Sequence, residues 1–286
     1  MAQRMLSPVE FFGIGNQPPG VCDSVRIHPT ARIDCGELTI GSGGVIGEGC
    51  RIEGARVEIG RELWLDAGAR IGGGSCCDPQ AFLKAGDWLH VGKGAELNQA
   101  RGITIGDEVG IGVGSGLYSH GAYLDELAGF PCSFAPITIG SRVWLPSAWV
   151  NPGVTIGSDV VVAARSLVNR SLPSGCLAGG TPAVVLKAGV YPRKLSVEEK
   201  GAILDRIVAE CRLIFPLSAI VRDGLAVVVV EDGATQMTVF DAEARTIAGP
   251  AGQRTEGVRN QLRRHGVRFR FSPTPDGYRP WDAASP

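Results

Sequence analysis

Proton transfer near neutral pH falls most readily to imidazole, because it is the side chain that ordinarily titrates there. The chain has four histidines, His28, His90, His120 and His265. His265 precedes Gly266 at the end of a predicted helix, where a cation complements the helix dipole, so a structural role is expected. His28 sits at the first of a series of repeats, and His90 lies in the strand-like run Trp88-Leu89-His90-Val91; both are expected to be surface or packing residues. His120 differs, because it stands at the start of the one stretch that breaks the repeat, LYSHGAYLDELAGFPCSFA. On the residues alone two readings are open, a proton-transfer group or an ordinary loop side chain. Asp125 and Glu126 of the same loop, or a backbone carbonyl, are the groups available to orient the ring. The eight cysteines contain no C-x-x-C, and the adjacent Cys76 and Cys77 are poorly placed to share one ion. They are expected to be small buried residues of a reducing cytosol, with no metal site.

The elements that must position His120 are set by a period of six. Ile27, Ile33, Ile40, Ile46 and Ile52 begin the frame; Ile59, Leu65, Ile71, Cys77 and Leu83 continue it after a one-residue slip. Val91, Leu97, Ile105, Ile111 and Leu117 follow, and Ile156, Val162 and Val168 close it. Six is neither the helical period of 3.6 nor a simple alternation. It predicts a solenoid in which each short strand forms one side of a coil and each sixth residue points to the axis. Glycine supplies 41 residues, about twice its usual share of roughly 7%, as many tight corners require. The break between Leu117 and Pro136 reads as an insertion at one corner, the place where a solenoid tolerates extra chain and where binding loops gather.

The stretch PITIGSRVWLPSAWVNPGVTIGSDVVVAARSLVNRSLPSGCLAGGTPAVVLK resembles the hexapeptide-repeat acyltransferases, in particular the galactoside, maltose and xenobiotic acetyltransferase branch and its polysaccharide-modifying relatives. The likeness covers about residues 26–187 and is strongest in its second half. It implies a left-handed parallel β-helix, with the catalytic histidine at the position of His120. It also implies an asparagine one coil earlier, for which Asn98 in ELNQARGITIG is the match; a corner asparagine satisfying backbone groups is the equal alternative. For acetyl-CoA, the resemblance implies Ser147, Ala164, Asn169, Arg170, Thr181, Pro182 and Lys187. Two positions depart from the pattern: Pro146 lacks an N–H where the family carries glycine, and Val184 stands where a basic residue usually follows. Phosphate contacts are then expected from Arg170, Lys187 or Arg193.

The implied reaction is transfer of acetyl from acetyl-CoA to a sugar or glycan-precursor hydroxyl. Neutral imidazole takes the hydroxyl proton, and no covalent enzyme intermediate or metal is needed. N-acetylation of an amino sugar, or acetylation of an antibiotic or serine, is the alternative within enzymes; a non-catalytic β-helix scaffold is the alternative outside them. The zinc hydratases of the same fold need three histidines around the metal, and His120 has no histidine nearby in the sequence. The resemblance implies a homotrimer.

Domain boundaries are read at residues 1–24 (irregular), 25–190 (the β-helix, with an active-site loop at 118–136) and 195–286 (a small α/β domain of unassigned role). In the last, Ser196 and Glu199 form a capping-box pattern for a helix to about Ile214, with Ile203, Ile207, Val208 and Leu213 as its apolar stripe. Strands are expected at 225–231, 236–241 and 267–271, a turn at Asp232-Gly233, and a helix at 256–265. A net charge of −1 gives no footprint for nucleic acid. No apolar run is long enough to span a bilayer, and the N-terminus lacks a signal-peptide pattern, so a cytoplasmic location is expected.

Overall fold

A computed structural model describes residues 18–214, 220–230 and 236–281 of the chain. They divide into two compact units that meet in sequence at Arg193 and Lys194.

The first unit is a parallel β-helix with three faces. Its first face stacks Arg26–Ile27, Gly44–Ile46, Leu63–Leu65, His90–Val91, Gly110–Ile111, Val143–Leu145, Val160–Val162 and Leu177–Gly180. Register along this face puts Ile27, Ile46, Leu65, Val91, Ile111 and Leu145 in one column. A second column runs through Ile33, Ile52, Ile71, Leu97, Leu117, Val150 and Val168. A third runs through Ile40, Ile59, Ala85, Ile105, Ile139 and Ile156. Nearly all of these side chains are buried in one continuous core, which opens only at the first coil, where Ile27 and Ile33 are half-covered. The six-residue frame is thus the sequence image of three aliphatic columns, each rung buried by its neighbours above and below.

One frame position fails. Cys77 is exposed, while Cys76 beside it is buried. Six residues beyond Ile71 the chain is inside a second corner insertion, between Arg70–Ile71 and the strand Phe82–Ala85. The third column is resumed by Ala85, which pairs with Ile59, and Leu83 packs one rung position earlier against Val57. The cysteines also divide: Cys50, Cys76, Cys176 and Cys211 are buried, but Cys22 and Cys77 are exposed. Burial pushes the Cys35 and Cys211 thiols up to about 11, so both stay protonated at neutral pH.

The corner between the first and second faces repeats one left-handed residue. Gly49, Gly68, Gly94 and Gly114 hold it at φ near +63 to +69 in four coils; Ser147 (φ +57) and Arg165 (φ +59) hold it in the last two. Glycine adopts this conformation without a Cβ penalty. Among the coils that hold this left-handed residue, side chains enter the column only at Ser147 and Arg165; in the first coil the position is Thr30, whose Oγ1 accepts the Gly49 N–H at 2.9 Å.

The second unit is a six-stranded sheet, Ile220–Asp223, Ala226–Val230, Met237–Asp241, Thr246–Pro250, Gly277–Pro280 and Phe271–Thr274 in spatial order. Helices α1 (Val197–Ile214) and α2 (Gln253–Arg264) accompany it. The capping box at the start of α1 is formed: Ser196 N–H donates to Glu199 Oε2 at 2.9 Å, and Glu199 N–H to Ser196 Oγ at 3.2 Å. Leu204, Ile207, Val208 and Cys211 form its buried stripe, whereas Leu213 is 87% exposed. The stripe shifts because the inward face ends at Cys211, one turn before the helix does. Helix α2 starts three residues earlier than expected, at Gly252 as N-cap. Residues 267–269 are not a strand: Phe269 leaves the ladder to pack edge-on against Phe240, and the strand begins at Phe271. The expected Asp232-Gly233 turn lies outside the described residues. No helix among the described residues is long and apolar enough to cross a membrane.

Candidate active site

The corner between the second and third faces carries both insertions, and His120 lies at the base of the longer one. Tyr118 still belongs to the ladder, paired with Asn98 one coil below. Ser119 then anchors the departing chain. Its N–H and hydroxyl both reach the Asn98 carbonyl (3.1 and 2.8 Å), the hydroxyl also reaches the Arg101 carbonyl (3.0 Å), and it accepts the Arg101 N–H (2.8 Å). On the far side Ala135 N–H donates to the Ser119 carbonyl at 3.0 Å, closing the insertion at its neck. Sequence reading missed Ser119, whose fully buried hydroxyl joins the two coils that His120 and Asn98 occupy. Ser119→Ala strands one buried N–H and weakens two carbonyl contacts, so it is expected to destabilise the fold by about 1–3 kcal/mol. Thermal unfolding of the variant beside the wild type checks this.

His120 pairs antiparallel with Phe134 across the neck, and the two rings stack with centroids 5.7 Å apart. Its Nδ1 is buried with no hydrogen-bond partner among the described residues. The Nε2 edge is the accessible one and looks toward Gly74: a Cβ on that glycine would stand 3.7 Å from Nε2 and 4.0 Å from Cε1. Neither acid of the loop orients the ring. Asp125 instead caps the short turn Glu126–Ala128, accepting the Leu127 N–H at 2.9 Å. The ring is held by the stack on Phe134 and by the anchored backbone at Ser119.

Asn98 is 3% exposed. Its amide packs on Gly73, where any Cβ would strike Nδ2, and its Oδ1 accepts the Ala100 N–H at 3.3 Å. It shares the corner with His120, one coil away, with no hydrogen bond between them. Asn169 and Arg170 are exposed at this same corner two coils further on.

Ser147 and Thr181 meet elsewhere, at the corner between the first and second faces. There a cavity of about 190 Å³ is lined by Gly114, Ser147, Ala148, Trp149, Arg165, Ser166, Leu167 and Thr181. Ala164 is exposed next to it, and Pro182 and Lys187 are exposed beyond it without lining it. Arg165, which sequence reading passed over, presents the cavity's one cation. The signal was available: it occupies the column that glycine holds in four earlier coils, and its N–H donates to the Ser147 carbonyl at 2.9 Å. Thr181 Oγ1 reaches the Arg165 carbonyl at 3.3 Å. Between the two corners, on the outer surface of the second face, Tyr118 stacks on Trp149 with centroids 4.3 Å apart. Among the described residues no group of three or more His, Cys, Asp or Glu side chains is placed to hold a metal ion.

Over 109 residues the chain is 39% identical to WcaF of Escherichia coli (strain K12), named as a colanic acid biosynthesis acetyltransferase, covering 38% of this chain and 59% of that one. Over 145 residues it is 29% identical to galactoside O-acetyltransferase of Escherichia coli (strain K12), covering 46% and 70%. Its relatives are hexapeptide-repeat acetyltransferases. Among solved structures, the hexapeptide-repeat acetyltransferase VCA0836 of Vibrio cholerae, complexed with acetyl-CoA, is 31% identical over 44% of this chain and 64% of that one, with a TM-score of 0.33. No protein-family model matches the chain. The chain spans less than two thirds of WcaF.

Proposed function

We propose that this chain is an acetyl-CoA-dependent O-acetyltransferase acting on a hydroxyl of a sugar or glycan precursor. The observation that carries the reading is His120, held at the neck of a corner insertion with its Nε2 open and its Nδ1 buried. With the proton on Nδ1, Nε2 accepts the acceptor's hydroxyl proton as the oxygen attacks the thioester carbonyl. Collapse of the tetrahedral species expels the coenzyme A thiolate, which takes the proton back from the imidazolium. Direct transfer needs no nucleophile on the protein. The relatives' names, which include a galactoside O-acetyltransferase, support a sugar hydroxyl as acceptor.

The cavity at the other corner suits the pantetheine arm of acetyl-CoA. It is small and open to the surface, lined by Trp149 and Leu167 together with Ser147 and Thr181. Arg165 there takes the phosphate-facing role expected of Arg170, Lys187 or Arg193. His120 and this cavity occupy opposite edges of the second face, and the cavity lining does not include His120. A homotrimer, in which His120 of one copy meets the cavity of the next, completes the site. The loop beyond His120 fits that role, with Tyr123 97% and Leu127 99% exposed, an apolar tip suited to burial against another copy.

Two measurements test this reading. Thiol release from acetyl-CoA with a panel of sugars and nucleotide sugars is expected to depend on the acceptor; no release with any acceptor, together with no coenzyme A binding, overturns it. Arg165→Gly returns the corner to the residue of the four earlier coils, so the melting temperature should hold. The dissociation constant for coenzyme A should rise about tenfold or more, the scale of one lost charge-assisted hydrogen bond. Calorimetric titration reads the affinity directly.

A further inference from the structure

The shorter corner insertion, residues 72–81, lies one coil below Asn98 and two below Tyr118 on the same corner. It brings Gly74 to the open edge of His120 and Asp78 to Arg101. Gly74 is exposed, and a Cβ there would meet nothing within 4 Å except Nε2 and Cε1 of His120. Its backbone is outside the left-handed region, so glycine is not needed for its conformation. Asp78 faces Arg101, with Oδ2 3.6 Å from the guanidinium. Arg101 in turn lies over the Phe134 ring, 4.7 Å from its centroid, and Phe134 is the ring stacked on His120.

An aromatic plate beside a planar ion pair suits a pyranose. The sugar's C–H face packs on the part of Phe134 that Arg101 and His120 leave exposed, and vicinal hydroxyls donate to a carboxylate and accept from a guanidinium. At 3.6 Å the Asp78–Arg101 pair is longer than a hydrogen bond, so Asp78 keeps its acceptor capacity for a ligand; Arg101 Nη1 donates to the Ala100 carbonyl at 2.8 Å, and the rest of its guanidinium is left for a ligand. The pair is neutral as a whole, and Asp78 is the more exposed member, at 48% against 27% for the Arg101 side chain. A carboxylated sugar presented to this wall meets the acid first.

We propose that residues 72–81 form the acceptor-selecting wall of the site. Gly74 leaves open the space through which a hydroxyl reaches Nε2, and the Asp78–Arg101 pair selects an uncharged pyranose over a uronate. This rests on the acetyltransfer reading, with His120 as the base, and adds the residues that choose the acceptor.

The test uses the full chain with acetyl-CoA and matched pyranosides, one neutral and one carrying a carboxylate at C6. Gly74→Ala and Gly74→Leu fill the opening without meeting any other protein atom at the Cβ. Acceptor kcat/KM is expected to fall about tenfold and about a hundredfold respectively, with coenzyme A affinity unchanged within twofold. Wild type should favour the neutral sugar by roughly tenfold, and Asp78→Asn should remove most of that preference. If Gly74→Leu keeps acceptor kcat/KM within twofold of wild type while His120→Ala abolishes transfer, the wall is wrong and the acetyltransfer reading stands. Equal use of neutral and carboxylated sugars by wild type also overturns the selection claimed for Asp78 and Arg101. A wild-type protein that transfers acetyl to no sugar overturns the reading and the wall together.

Discussion

Replacing His120 by alanine is expected to lower acceptor-dependent release of coenzyme A by about a hundredfold or more, the usual contribution of a positioned general base. The loss should fall on kcat and kcat/KM equally, because the imidazole bonds to the hydroxyl most strongly as its proton leaves. Coenzyme A affinity should stay within twofold, since His120 is not among the residues lining the cavity that holds Ser147, Arg165 and Thr181. Stability should change little, since the ring is half-exposed and makes no hydrogen bond. Steady-state kinetics, a coenzyme A titration and a melting curve on one preparation separate these effects. Undiminished turnover in the variant would remove His120 from the mechanism.

The second large effect is expected in the core. Ile111 is fully buried, and its rung partners are Val91 below and Leu145 above. Ile111→Ala opens a cavity in the middle of a stacked column whose backbone is pinned on both sides by parallel ladders. It therefore relaxes poorly, and the expected cost is about 2–5 kcal/mol. The same change at Ile33, in the half-buried first coil, should cost distinctly less, because part of that side chain already faces water. Denaturant unfolding of the β-helix variants compares the two. Equal losses at both positions would mean that the column is not the main source of stability.

The contrast between these sites shows where the sequence was sufficient. A β-helix places one side chain per strand on its axis, so the core repeats along the chain and is legible as a period. His120 was marked by the same logic, as the residue where that period stops. The capping box at Ser196 and Glu199 was legible because both partners lie within one turn. Counting fails wherever chain length alone hides the geometry. Cys77 fell on the frame only because a corner insertion of the right length carried it there, and Leu213 fell on a helical stripe that the sheet beneath α1 does not reach.

The site was mostly invisible in the sequence, and the reason is stacking. Ser119 and Arg101 are 18 residues apart yet share a hydrogen bond. Gly74 and His120 lie much further apart, and Arg165 joins Ser147 through one backbone bond between coils. Each coil returns the chain to the same corner, and the number of residues in the intervening insertions decides what lands beside what. The sequence by itself determined the solenoid, its aliphatic columns and the histidine at the break. Only the tertiary structure decided that Gly74 and Phe134 meet that histidine, with Arg101 over Phe134 and Asp78 facing Arg101, and that Arg165 enters a cavity on the other edge of the same face. Contacts between rungs are set by coil stacking, and no local pattern in the chain records them.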